Sequence, residues 1–226
     1  MKKLRLILLL VLIFTGTGIG QFRDVLTDPS ALTIARLRYG GGGNWYWGRS
    51  AIPNLHRFIA ENTDIAVVDK EVNIRATDPE LYNYPFLFLT GHGNIKFTEQ
   101  EVSALRQYLT SGGFLFANDS YGLAAAFRRE MKRVFPEKKL VELPFSHEIY
   151  HCRYEFPNGL PKIHEHDKKP PQGFGIFWED KLVVFFAYES DIGDGWEDYE
   201  VYHDPPEKHL EALKMGVNIV TYALTH

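Results

Sequence analysis

The sequence predicts an α/β fold with a mostly parallel sheet and helices on both faces, and three observations predict it. Two short runs, Phe86-Leu87-Phe88-Leu89 and Phe114-Leu115-Phe116-Ala117, are apolar at every position, as strands covered on both faces must be. Between them Thr98 and Glu101 have capping-box spacing, Val102, Leu105, Tyr108 and Leu109 form one apolar stripe, and Gly112 or Gly113 supplies a stop. Strand, helix and strand in that order make a crossover, which places the two strands parallel.

Leu32 to Leu37 reads as the first strand, followed by the glycine run Gly40 to Gly43 and the aromatics Trp45, Tyr46 and Trp47. Such a loop either wraps a ligand, with the aromatics as stacking surfaces, or simply covers the core. It lacks the Lys-Ser/Thr pair of a phosphate-binding loop. Ser50 through Glu61 fits a helix with Pro53 in its first turn, and Ile65 to Val68 supplies a further strand. After Ser120, Phe127, Met131 and Val134 recur at helical spacing until Pro136.

Residues 144–172 hold several prolines, four histidines and little periodicity, so they read as a long surface excursion. Phe174 to Trp178 and Leu182 to Tyr188 then resemble a hairpin closing one side of the sheet. An acidic loop follows, with Glu189, Asp191, Asp194, Glu197 and Asp198 around Gly193, Gly195 and Trp196. A final helix from about Glu207 to Leu224 would pack through Leu210, Leu213, Val217, Val220 and Leu224.

The first twenty residues have the pattern of a secretory signal peptide: Lys2, Lys3 and Arg5, the apolar run Leu6 to Phe14, then a small, polar stretch to Gly20. Cleavage there leaves residues 21–226 as one domain without a membrane span, and the expected address is the periplasm or the exterior. The net charge of −4 falls to −7 once the three basic residues are removed, and no basic stripe favours nucleic acid. Cys152 is the sole cysteine, so no internal disulfide forms, and it lies outside any strand-turn-helix context.

Several stretches together closely resemble one bacterial family, the domain of unknown function 4159 family. They are Tyr84-Pro85-Phe86, Gly91-His92-Gly93, Gly112-Gly113-Phe114, Phe127-Arg128-Arg129-Glu130, Val134-Phe135-Pro136, Gly193-Asp194-Gly195-Trp196-Glu197 and Met215-Gly216-Val217-Asn218-Ile219. That family in turn looks similar to class I glutamine amidotransferase-like and sugar-utilisation-type domains, so the resemblance implies a flavodoxin-like three-layer fold and no established activity. In amidotransferases of that fold the turn after this Gly-Gly strand carries a nucleophilic cysteine. Here the place holds Asn118-Asp119-Ser120-Tyr121-Gly122.

In open parallel sheets ligands bind beyond the carboxyl ends of the strands, which is where His92 and Asp119 fall. Gly91, His92, Gly93, Asn118 and Asp119, with Trp45 and Trp196, are therefore the candidate ligand-binding residues, for a small or glycan-like ligand. Trp196 is either sugar-facing or a packing aromatic. A hydrolase of envelope glycan or peptide is the alternative, with Asp119, Ser120, His92 and His147 as candidate catalytic residues. Ser120 more often belongs to a helix cap than to a nucleophile.

His164-Glu165-His166-Asp167 is the sharpest of the histidine clusters among nine histidines. Residues two apart in an extended segment share a face, so His164 and His166 could hold a divalent metal such as zinc, with Asp119 or Asp167 completing the site. A polar loop gives the same composition without a metal. The acidic loop has oxygens for a hard cation but not the spacing of an EF-hand, and both calcium binding and glycoside hydrolysis by paired carboxylates stay open.

Overall fold

The computed structural model describes residues 31–68 and 70–226; the expected signal peptide of residues 1–20 lies outside the described residues. Seven strands form one sheet: β1 (Ile34–Arg38), β2 (Val72–Arg75), β3 (Phe86–Leu89), β4 (Phe114–Asn118), β5 (Val141–Glu142), β6 (Gln172–Trp178) and β7 (Lys181–Tyr188). Their order across the sheet is β2-β1-β3-β4-β7-β6-β5. The first five in that order pair parallel, whereas β6 runs antiparallel to β7 and β5 antiparallel to β6, so the sheet is mixed.

Five helices connect or flank the strands: α1 (Ala51–Asn62), α2 (Glu99–Thr110), α3 (Ala124–Val134), α4 (Tyr199–Tyr202) and α5 (Pro206–Thr225). Side chains alternate across a strand, so β3 and β4 send Phe86, Phe88, Phe114 and Phe116 to one face and Leu87, Leu89, Leu115 and Ala117 to the other. The phenylalanine face packs under α1 and α5 through Ile52, Leu55, Met215 and Ile219. The leucine face packs under α2 and α3 through Leu105, Leu109, Phe127 and Met131. Helices thus lie against both faces, and the central strands β1, β3, β4 and β7 are buried on both sides.

Local sequence explains much of this. Thr98 Oγ1 accepts from Glu101 N and Glu101 Oε2 accepts from Thr98 N, which closes the capping box that starts α2. The turn between β6 and β7 places Glu179 and Asp180 at φ 48° and 65°, the left-handed pair that matches hairpin twist.

Three expectations need correction. Ile65 to Val68 makes only an isolated bridge between Val67 and Leu32, and the edge strand is Val72–Arg75 instead. The hairpin does not simply close one side, because β7 inserts beside β4 and carries β6 and β5 outward. Leu210 and Leu224 of α5 are exposed, while Met215, Gly216, Asn218 and Ile219 are buried, because α5 packs on a wider face than one stripe. Among the described residues no helix is long and apolar enough to cross a membrane.

Candidate functional site

The carboxyl ends of β1, β3, β4 and β7 lie at one edge of the sheet, and the loops that leave them interlock. The glycine loop after β1 lies against the turn after β3: Gly43 N donates to Asn94 O, and Asn44 N to His92 O. The approach is close enough to demand glycine. A Cβ on Gly43 would stand 2.6 Å from Asn94 O, and one on Gly91 (φ 129°) would stand 2.5 Å from Tyr39 Oη. Asn44 then clamps His92, its side-chain oxygen accepting from His92 N and its Nδ2 lying 3.2 Å from His92 Nδ1. The indole of Trp47 meets the His92 ring edge to face at 4.9 Å. Burial lowers the His92 pKa, with the Asp191 charge opposing and His166 reinforcing that shift.

The turn after β4 is tied to the acidic loop. Asn118 Oδ1 accepts from Gly193 N at 2.9 Å, and Asn118 Nδ2 donates to Ser120 Oγ at 2.9 Å. Ser120 donates in turn to Asp194 Oδ1 at 2.8 Å, and the second oxygen of Asp194 accepts from Tyr202 Oη at 3.0 Å. Tyr202 Oη also accepts from Trp47 Nε1 at 2.7 Å. One polar chain thus runs from the aromatic loop after β1 to the end of β4. Burial raises the Asp194 pKa, the Asp191 charge adds to this, and the bonds from Ser120 and Tyr202 oppose it.

His164 and His166 fold back onto this edge. Nδ1 of His164 lies 3.0 Å from Asp191 Oδ2, and its Nε2 lies 3.2 and 3.0 Å from the two oxygens of Asp204. Nε2 of His166 meets the same Oδ2 of Asp191, and its ring stacks on Tyr121 at 4.7 Å. Asp191 is fully buried, and its Oδ1 has no hydrogen-bond partner among the described residues. Ligand atoms of His164, Asp191 and Asp194 all lie within 4.8 Å of one another. Burial works against a charged His164, but Asp191 and Asp204 outweigh it and its pKa is raised. Glu189 and Asp191 hold left-handed backbone at φ 56° and 59°, a strain that collects at functional sites.

A family model matches residues 33–224, almost the whole of the described chain. The chain belongs to the DUF4159 family, a domain of unknown function. No curated protein matches it.

In this DUF4159 domain the sequence-derived candidates divide. His92 and Asp119 leave adjacent parallel strands at the same end, with no element between the two turns, yet no hydrogen bond among the described residues joins them. Asp119 Oδ1 instead accepts from Leu123 N at the start of α3, and its pKa is pushed up to about 6. Burial is the main cause, the Leu123 bond opposes it, and the charges of Asp191 and Glu189 add to it. Ser120 is buried rather than exposed and caps nothing; Asp119 makes that contact, and no described histidine hydrogen-bonds the Ser120 hydroxyl. Gly91 is buried at the Asn44 clamp, and Gly93 is exposed beside it.

Other candidates fall away from the cluster. Trp196 is fully buried, 5.3 Å from Phe88 and 5.7 Å from Phe116, with its indole N–H on Ala212 O, so it is a core residue. His147 packs on Phe177 and Tyr222 and accepts from Ile149 N. Phe177 pairs with Leu182 at the start of β7, so His147 sits at the opposite edge of the sheet from Ser120 and Asp119. Trp45 lies under the guanidinium of Arg38, and Asp167 pairs with Lys169 in an exposed position.

The residues that replace them come from the acidic loop and the segment after it. Asp191 and Asp194 carried a sequence signal as cation-binding oxygens, but nothing joined them to the histidines. Tyr202 and Asp204, which hold Asp194 and His164, carried none.

Proposed function

We propose that the protein is an exported α/β domain of amidotransferase-like build, without the cysteine nucleophile, that binds a small or glycan-like ligand at the carboxyl ends of β3, β4 and β7. The observation that carries this reading is convergence. Residues from four separate loops, His92, Asp119, His166 and Asp191, meet at the edge where open α/β sheets take ligands. Tyr121, more than half exposed, stacks on His166 and supplies an aromatic face there, and Trp47 meets the His92 ring.

The order β2-β1-β3-β4-β7 of the parallel strands follows the doubly wound 2-1-3-4-5 pattern and supports a flavodoxin-like relationship. Loss of cysteine chemistry is supported by Cys152: its thiol donates to Asn218 O, and burial pushes its pKa up to about 11. Export rests on the pattern of Lys2 to Gly20, and a periplasmic or secreted address makes envelope material the natural ligand source.

Calorimetric titration with cell-wall oligosaccharides and stem peptides tests the reading. Binding by the parent, weakened at least roughly tenfold by His92→Ala and by Asp119→Ala, is the expected result. Equal affinity in all three proteins would move the ligand site elsewhere.

A second reading, hydrolysis of envelope glycan or peptide, is favoured by Asp119, whose carboxyl with a pKa near 6 can exchange a proton at neutral pH. Ser120 is committed to Asp194, so this chemistry would run through activated water rather than a serine nucleophile. New reducing ends or amino groups released from purified cell wall, lost in Asp119→Asn, are its measurable consequence.

A further inference from the structure

We propose that His164, Asp191 and Asp194 form a binding site for a divalent transition cation of the zinc class, with His166 as an additional nitrogen donor and Asp204 as the carboxylate that orients His164. Where the preceding reading concerns an organic ligand, this one concerns an ion, and it rests on that reading only in sharing the same edge of the sheet.

The hydrogen-bond arithmetic at His164 is the first argument. A neutral imidazole has one N–H, and Asp204 faces Nε2 with both oxygens, at 3.2 and 3.0 Å. Nδ1 is then a lone-pair donor, and it faces the carboxylate oxygen Oδ2 of Asp191 at 3.0 Å. Two acceptors opposed at that distance repel unless something positive lies near both. The same Oδ2 also meets Nε2 of His166, so two imidazole nitrogens converge on one oxygen. A second proton on His164 would settle its own contact. It would not help Oδ1 of Asp191.

That atom is the second, independent argument. Asp191 is fully buried and its Oδ1 has no partner among the described residues, a rare state for a buried carboxylate oxygen. Asp194, nearly as buried, brings a further carboxylate within 4.8 Å of both His164 and Asp191. A single cation would meet the unpartnered oxygen, separate the opposed acceptors and neutralise adjacent buried carboxylates together.

Donor chemistry selects the ion. Imidazole nitrogens mixed with carboxylate oxygens suit zinc and its neighbours, whereas calcium and magnesium take all-oxygen shells. Asp204 on the far nitrogen of His164 is the outer carboxylate that fixes the tautomer of a metal-bound histidine. Its arrival from residue 204, just before α5, also connects the ion to the segment that carries Tyr202. Bound there, the cation would offer a Lewis-acid position to a hydroxyl or carboxylate of a ligand lying against His92 and Tyr121.

The test strips the full-length protein with chelator, then titrates it with zinc chloride by calorimetry, alongside His164→Ala, Asp204→Asn and the distant control His147→Ala. The expected result is about one zinc per chain in the parent and in His147→Ala, a roughly 10–100-fold weaker site in Asp204→Asn, and loss of the site in His164→Ala. Substoichiometric uptake by the parent, or equal uptake in His164→Ala, overturns the proposal. Circular dichroism checks that the variants fold. Where His164→Ala does not, cobalt(II) added to the parent replaces it: visible d–d absorption that zinc displaces supports the site, and its absence overturns it. Repeating the oligosaccharide titrations with and without zinc separates the two readings, since ligand binding without zinc uptake removes only the ion.

Discussion

Ser120 and Asp194, 74 positions apart, are joined by a 2.8 Å hydrogen bond from the serine hydroxyl to Oδ1, and this bond fastens the loop after β7 to the end of β4. Both residues are buried, and among the described residues the only other hydrogen bond to the Asp194 side chain comes from Tyr202. Ser120→Ala removes one of the two donors and strands a buried carboxylate oxygen, which should cost about 1–3 kcal/mol. Urea denaturation measures that loss. If Ser120→Ala abolished turnover of a substrate while leaving the denaturation midpoint unchanged, the serine would be a nucleophile after all.

Asp119 gives a pH dependence with a definite sign. Its native pKa, about 6, lies above the reference value of 3.8, so the folded chain holds this proton more tightly than the unfolded chain. The stabilisation is complete below pH 4 and is lost as pH rises through 6. At pH 7.5, in chelator, Asp119→Asn should therefore be more stable than the parent by roughly 2–3 kcal/mol, while keeping an oxygen to accept from Leu123 N. At pH 3.5 the two should coincide. A difference that stays constant across this range, read from denaturation midpoints, would show that burial does not control Asp119.

Trp196 separates packing from recognition. Its ring fills the space between Phe88, Phe116 and α5, and Gly216 lets the helix approach, since a Cβ there would stand 2.9 Å from the indole. Trp196→Ala should cost about 3–5 kcal/mol and Trp196→Phe distinctly less. Oligosaccharide affinity in the folded fraction should not change with either. Selective loss of affinity at unaltered stability would return Trp196 to the ligand site.

The elements that were legible in the sequence are those whose cause is local. The capping box at Thr98 and Glu101, the apolar runs of β3 and β4, and the stripe of α3 are each set by residues within a few positions, and each formed where the spacing puts it. The edge strand β2 was not legible, because Val72-Asn73-Ile74-Arg75 buries only Ile74 and so carries half the pattern of a central strand. Conversely, the apolar run Ile65 to Val68 looks like a strand but finds a partner only at Val67.

By itself the sequence determined that β3 and β4 would be parallel and buried on both faces, and that His92, Asp119 and their flanking glycines would leave them at one edge. It also marked the histidine cluster at 164–166 and the acidic loop at 189–198 as chemically dense. Only the tertiary structure decided that these two stretches meet, that Asp191 rather than Asp119 or Asp167 receives both imidazoles, and that Asp204 and Tyr202 hold the cluster from behind. It likewise decided that Trp196 is core and that His147 belongs to the far edge. The reason is one of range: periodicity and caps are fixed by neighbours a turn or two away. Contacts such as Trp47 with Tyr202, 155 positions apart, depend on where β7 inserts in the sheet and on how α5 packs beneath it.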